Sequence, residues 1–327
     1  MKSRLITYSK FLLCLVFLCA SCNTEEETQI IRLGHGLDTS HSVHKAMVYM
    51  AEKVEEKSGG SLSIKIYPNQ QLGSERECLE LLQIGSLGMT KVSAATMENF
   101  APEFKVLNLP YLFRDSAHRY KVLEGAIGQT LLKSSESKRL IGLTFYDSGT
   151  RNFYADIPIE TPDDLKGLKL RVMPSQSAIN MVKHLGGSPT PISWGELYTA
   201  LQQGIVDGAE NNLPSYYLNN HYEVCQYYSM DEHTAVPDEL IISTIVWNKL
   251  NDQQKQWLKE AAEESSIYQK KLWQESEQEA LEGMKEAGVK IIHPDKEKFR
   301  ELVGPMYEEF RRDPLMKRTI EAIQAVE

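Results

Sequence analysis

Apolar and polar positions change period repeatedly along the chain, and the changes mark out its elements. Gln29 to Leu33 alternates as a strand and is stopped by Gly34-His35-Gly36. From about His41 to Lys57, Ala46, Met50, Ala51 and Val54 share one helical face, and Gly59-Gly60 ends the helix. Leu62 to Tyr67 alternates again, Glu75 to Ile84 reads as a helix, and Met89 to Val92 as a short strand. Such alternation of strand and helix predicts an α/β architecture with parallel pairing.

The middle of the chain repeats the theme. Leu140 to Phe145 is an apolar strand. Thr161-Pro162-Asp163-Asp164 opens a short helix with Thr as cap and Pro at the first helical position, and Gly167 ends it. Leu168 to Met173 reads as a strand, followed by a helix to about Leu185 that Gly186-Gly187 closes. Ser193-Trp194-Gly195-Glu196 is a capping-box pattern opening a helix that stops near Gly204, and Ile205 to Ala209 reads as a strand ending at Glu210-Asn211-Asn212. The C-terminal third holds one long helical pattern, about Asp252 to Ala287. It would span roughly 50 Å, more than one small domain. There is no internal repeat at solenoid periods.

Length and composition place these elements in two domains: 327 residues exceed one ordinary core, and 42% hydrophobic with 25% charged residues is globular. The first residues differ. Lys2, Arg4 and Lys10 precede the apolar run Phe11 to Ala20, and Ala20-Ser21-Cys22 leads into the acidic Glu25-Glu26-Glu27. Residues 1–21 are expected to be an export signal, Cys22 the acylated residue of a lipobox, and residues 22–28 a tether. Removing 1–21 leaves 33 Lys+Arg against 45 Asp+Glu, a net charge of −12 that disfavours nucleic acid and anionic lipid. The expected membrane link is therefore the lipid alone. Of five cysteines, Cys78 and Cys225 would remain as buried free thiols, too few for a disulfide framework.

Several motifs invite chemistry. Gly34-His35-Gly36 lacks the third glycine of a dinucleotide fingerprint, since Thr39 stands there, so a tight turn is the better account. That turn places His35 at a strand's C-terminal end, where open α/β sheets bind ligands. His41 and His44 lie one helical turn apart, but no HExxH or paired CxxC accompanies them, and neither a metal nor a cofactor is expected. No GxSxG elbow, P-loop or triad spacing points to catalysis. In Leu168-Lys169-Leu170-Arg171-Val172-Met173, Arg171 lies opposite Leu170 and Val172. A strand sandwiched between helices should be apolar on both faces, so Arg171 stands either at the sheet's rim or in a cleft, where it would hold a carboxylate or phosphate. Arg151 follows the strand Leu140 to Phe145 at an expected domain crossover, and Asn211 and Asn212 end another strand. Polar groups converging at strand C-terminal ends form the usual small-molecule site.

At these residues the chain resembles the solute-binding proteins of tripartite ATP-independent periplasmic (TRAP) transporters, the DctP family. The resemblance is carried by Thr161 to Val172, Gly187-Ser188-Pro189-Thr190-Pro191, Glu196 to Gln202 and Val206-Asp207-Gly208-Ala209-Glu210-Asn211. It implies a two-domain periplasmic-binding-protein fold, type II-like, with hinge-linked lobes and a long domain-spanning C-terminal helix. Domain I would comprise 29–148 with 237–276, and domain II 149–236 with 277–327. It also implies a periplasmic, lipid-anchored binding protein, not an enzyme, that delivers a small organic anion to the TRAP membrane permease subunits. Arg171 would anchor the ligand carboxylate, Arg151 would make a second contact and Asn211 would bond the ligand. Thr90-Lys91-Val92-Ser93 and Asp207 to Tyr216 resemble the branch taking uronates such as glucuronate or galacturonate. Sialic acid, a C4-dicarboxylate or a sensory role are the alternatives. A polyhydroxylated acid needs further donors and acceptors, for which His35, Glu75, Lys91, Asn152, Asn212 and His233 are candidates.

Overall fold

The computed structural model describes residues 28–327; the proposed signal and Cys22 lie outside the described residues. Among the described residues eleven strands form two sheets: β1 (Gln29–Gly34), β2 (Leu62–Tyr67), β3 (Met89–Ser93), β4 (Leu140–Tyr146), β5 (Arg151–Ala155), β6 (Lys169–Val172), β7 (Ser188–Pro191), β8 (Gly208–Asn211), β9 (Tyr227–Thr234), β10 (Asp238–Ser243) and β11 (Lys290–Ile292). The first sheet has the order β2-β1-β3-β10-β4 and the second β11-β9-β5-β8-β6-β7. The two-lobed α/β architecture expected from the strand-helix alternation is present.

Pairing is mixed and not purely parallel. β1 runs parallel to β2 and β3, but β10 lies antiparallel to both β3 and β4, and β5 antiparallel to β8 and β9. The cause is connectivity. The chain leaves the first sheet through β4 into β5 and returns through β9 into β10, so each returning strand enters its sheet from the opposite end. The expected strand Ile205 to Ala209 is displaced to Gly208–Asn211. Gly204 turns with φ +67°, Ile205 is exposed, and Asp207 is tied to Lys169 by a pair of bonds that starts the β6–β8 pairing.

Helix ends follow local chemistry. The helix α1 (Ser42–Ser58) starts at His41, whose Nδ1 accepts the Val43 N–H, and stops at Gly59 in the left-handed region. The helix α2 (Glu75–Gln83) is opened by a Ser74/Glu77 capping box. The helix α3 (Gln176–His184) is capped by Ser175, and α4 (Leu213–Leu218) by Asn212. The 35-residue helix α5 (Asp252–Glu286) starts with an Asn251/Gln254 capping box and spans roughly 50 Å. It packs along α1 in the first lobe and against α4 in the second, where Gly283 leaves room for the Tyr217 ring.

Midway, α5 clamps the crossover. The Gln269 amide accepts from the Asp147 N–H and donates to the Asp147 carbonyl, both at 2.8 Å, and Ser266 bonds the Phe145 carbonyl. Gly149 (φ +60°) follows, where a Cβ would lie 2.4 Å from Glu277 Oε1 and 3.0 Å from Trp273 Nε1, so only glycine fits. The last helix, α6 (Pro314–Gln324), had been expected with the second lobe. It packs instead against residues 102–108 and 126–134 beside the first sheet, with the Ile323 carbonyl 2.9 Å from His118 Nε2. Its apolar face joins the core there, with Ile320 and Ile323 buried in the same apolar cluster as Phe104 and Leu131. Among the described residues no helix is long and apolar enough to cross a membrane.

Candidate ligand cleft

Between the two sheets lies a cavity of about 240 Å³ with walls from both lobes. That is below the range of drug-sized pockets, roughly 300–1,000 Å³, and suits a monosaccharide-sized guest. Six residues singled out in the sequence line it: Arg171, Arg151, Asn211, Asn212, Glu75 and Lys91.

Arg171 is the third residue of β6 and only 2% exposed. Its Nε donates to the Ile192 carbonyl at 2.9 Å, while Nη1 is buried without a partner. No carboxylate of the described residues forms a salt bridge with it. Burial lowers its pKa, and the charge of Glu210 only partly opposes this. Arg151 presents the opposite case. Its Nε and Nη2 grip Glu210, and Nη1 donates to Asn211 Oδ1 at 2.8 Å. Burial opposes its charge, but Glu210, with Tyr154 and Asp238 adding less, outweighs burial and raises the pKa. Burial would likewise raise the Glu210 carboxyl, yet Arg151 and His233 hold it at about 2. The Arg151–Glu210 pair is thus internally neutral, whereas Arg171 is a desolvated cation lacking an anion. Arg151 follows β4 at the crossover, as expected, but it is the first residue of β5 and so does not sit at a strand's C-terminal end. Antiparallel pairing of β5 with β8 nevertheless brings it beside Asn211.

The first-lobe wall carries a second cluster. Lys91 Nζ lies 3.0 Å from Glu75 Oε1 and 3.2 Å from Asp238 Oδ1. Glu75 Oε2 accepts from Thr96 Oγ1 at 2.7 Å and the Ser93 N–H at 3.2 Å. Burial works against the Lys91 ammonium, but Asp238 and Glu75 prevail and raise it to about 12. At the mouth the lobes touch: a Cβ on Gly195 would lie 2.2 Å from Gln70 Oε1, and Trp194 stands over Gly36.

Three candidates point elsewhere. Asn152 is turned into the second lobe, donating to the Tyr228 hydroxyl and the Thr150 carbonyl and accepting the Glu232 N–H. His233 is enclosed between Asp231, at 2.7 Å, and Glu210, at 3.5 Å. His35 does sit at the strand-end turn, but its Nδ1 accepts the Leu37 N–H and its Nε2 meets His44 at 3.0 Å, with burial as the largest cause pushing it down to about 3. Strand position brought these three near the site, and local hydrogen bonds turned them from it.

Sequence reasoning missed His41, Asp238, Glu210 and Trp273. Asp238 is separated from Lys91 by nearly half of the chain, and the β3–β10 pairing joins them. Glu210 had a local signal, since it directly precedes Asn211 in the quoted motif. Among the described residues no group of three or more His, Cys, Asp or Glu side chains is arranged to hold a metal.

Comparison with known proteins identifies the family and the fold. The family model for bacterial extracellular solute-binding proteins, family 7 (DctP), matches residues 33–313. The YiiZ protein of Salmonella typhimurium is 40% identical over 298 residues, covering 90% of this chain and 91% of that one. A TRAP periplasmic solute-binding protein from Xanthobacter autotrophicus, solved with β-D-galacturonate, superposes with a TM-score of 0.89 at 39% identity, covering 91% of this chain and all of the other. One from Chromohalobacter salexigens, solved with D-glucuronate, gives 0.88 at 35% identity, with 91% and 100% coverage.

Proposed function

The chain belongs to the family 7 extracellular solute-binding proteins, the binding components of TRAP transporters, and we propose that its ligand is a hexuronate such as galacturonate or glucuronate. The family serves transport and is not one of enzymes. The observation that carries the substrate proposal is the buried Arg171 cation, whose Nη1 has no hydrogen-bond partner and which forms no salt bridge among the described residues. A bidentate carboxylate supplies both the missing charge and the missing hydrogen bonds. The hexuronates held by relatives at 35–39% identity support the same class.

In this reading Arg171 anchors the carboxylate and the Asn211 amide adds a donor. Arg151 chiefly holds Asn211 and Glu210 in place, with less freedom for a direct contact than the sequence suggested. We assign 29–148 with 237–276 to the first domain and 149–236 with 277–313 to the second, and group α6 with the first because it packs there. Hinge closure between them would enclose the ligand. Export through residues 1–21 and lipid attachment at Cys22 remain part of the proposal, supported by Ala20-Ser21-Cys22.

A thermal-shift screen of carboxylates tests the substrate class. A hexuronate at 100 times its Kd stabilises by about 2.7 kcal/mol. If sialic acid or a C4-dicarboxylate shifts the melting curve and no hexuronate does, the assignment fails.

A further inference from the structure

The two walls of the cleft differ in what they leave unsatisfied. On the second-lobe wall the free capacity is mostly donor, and the one charge without a partner is positive. Arg171 Nη1 has no partner. Asn211 Oδ1 already accepts from Arg151 and from the Asn212 N–H, so that amide offers only its NH₂ group; Asn212 Oδ1 accepts from the Ser215 N–H and keeps one lone pair beside its two NH₂ donors. That wall receives an anion.

The first-lobe wall has the opposite balance. Glu75, Lys91 and Asp238 sum to one net negative charge, and Lys91 is already held by both carboxylates. Both Glu75 oxygens are engaged, whereas among the described residues only Lys91 reaches the Asp238 carboxylate, through Oδ1. Arg76, the other cation on this side, stands at the mouth with its side chain 67% exposed and paired to Glu80. His41 adds one neutral donor. Its Nδ1 accepts the Val43 N–H, which puts the proton on Nε2, and that atom is buried without a partner. A spare acceptor and a spare neutral donor on one wall suit hydroxyl groups, which both donate and accept. A carboxylate there could use the donor but would face the carboxylates.

Building on the hexuronate assignment, we propose that the cleft selects monoacids whose far end carries hydroxyls and rejects the corresponding aldaric diacids, with Asp238 as the selecting residue. The acid end lies on Arg171 and the hydroxyl end on Asp238 and His41, so the ligand binds in one orientation across the hinge.

Calorimetric titration of the purified protein with D-galacturonate, D-glucuronate, galactarate and D-glucarate tests this. The expected result is that each diacid binds at least about tenfold more weakly than its monoacid; a smaller ratio overturns the proposal. Asp238→Asn keeps the shape and removes the charge, so it should weaken the monoacids and shrink the ratio. An unchanged ratio in a folded variant, verified by its circular dichroism, overturns the role of Asp238. If that variant does not fold, the wild-type ratio still decides selectivity, and Glu75→Gln, which lowers the same wall's charge, should shrink it; an unchanged ratio there removes the wall's charge as its cause. Absence of binding by both hexuronates would instead sink the substrate assignment itself.

Discussion

Replacing Arg171 with methionine separates a ligand anchor from a structural support, because the two roles move different observables. The side chain is 2% exposed and makes one hydrogen bond within the protein, Nε to the Ile192 carbonyl at 2.9 Å. Losing that bond costs on the order of 1 kcal/mol. Removing an unpaired buried cation returns several kcal/mol of desolvation, by order of magnitude, and methionine keeps most of the buried stem. The ligand-free variant should therefore melt at or above the wild-type temperature. Binding should respond in the other direction. Truncating one partner of a buried, hydrogen-bonded charge pair costs about 2–5 kcal/mol, or roughly 30-fold to a few thousand-fold in Kd. Scanning calorimetry of the ligand-free protein and titration with a hexuronate measure the two effects separately. A variant that melts several degrees lower yet binds normally would show that Arg171 braces Ile192 and holds no carboxylate.

Three further outcomes follow from the geometry. Gly195→Val should obstruct the mouth, where even a Cβ would fall 2.2 Å from Gln70 Oε1; Gln70 can rotate away from a methyl but not from a branched side chain, so affinity should drop while the ligand-free melting temperature holds, and unchanged affinity would refute the closure contact. Gly149→Ala should destabilise by about 1–3 kcal/mol, since φ is +60° and the added Cβ meets Glu277 and Trp273; a melting curve equal to wild type would refute that. Stability should also depend on pH through the buried His233 and Glu210. Burial lowers His233, but Asp231 and Glu210 together outweigh it and raise the group to about 9, above the ordinary 6.5; its contribution is complete below pH 6.5 and lost between 6.5 and 9. Glu210, lowered from 4.5 to about 2, contributes above pH 4.5 and loses that contribution as pH falls toward 2. Melting temperatures of wild type and His233→Gln at pH 6 and pH 9 test the alkaline arm; an equal drop in both would exclude His233 as its source.

What could be seen in the sequence depended on how local the cause was. Arg171 stood out because a charged residue in a strand flanked by helices violates the apolar rule for such strands, and the violation is visible within six residues. The stop at Gly59 was equally local. Asp238 was invisible because its significance arises only when β10 inserts antiparallel beside β3, which no periodicity announces. The antiparallel strands themselves come from the chain crossing between lobes twice, a property of the whole path. His35 and Asn152 show the converse error. Their backbone positions were near the right place, but a hydrogen bond to Leu37 in one case and to Tyr228 in the other turns the side chain out of the cleft.

The most direct test of the central claim is a crystal structure of the protein grown with D-galacturonate. The account predicts a carboxylate oxygen within about 3.2 Å of the Arg171 guanidinium and a sugar hydroxyl at the same range from Asp238. A carboxylate seated on Lys91, with Arg171 left unpaired, would contradict it.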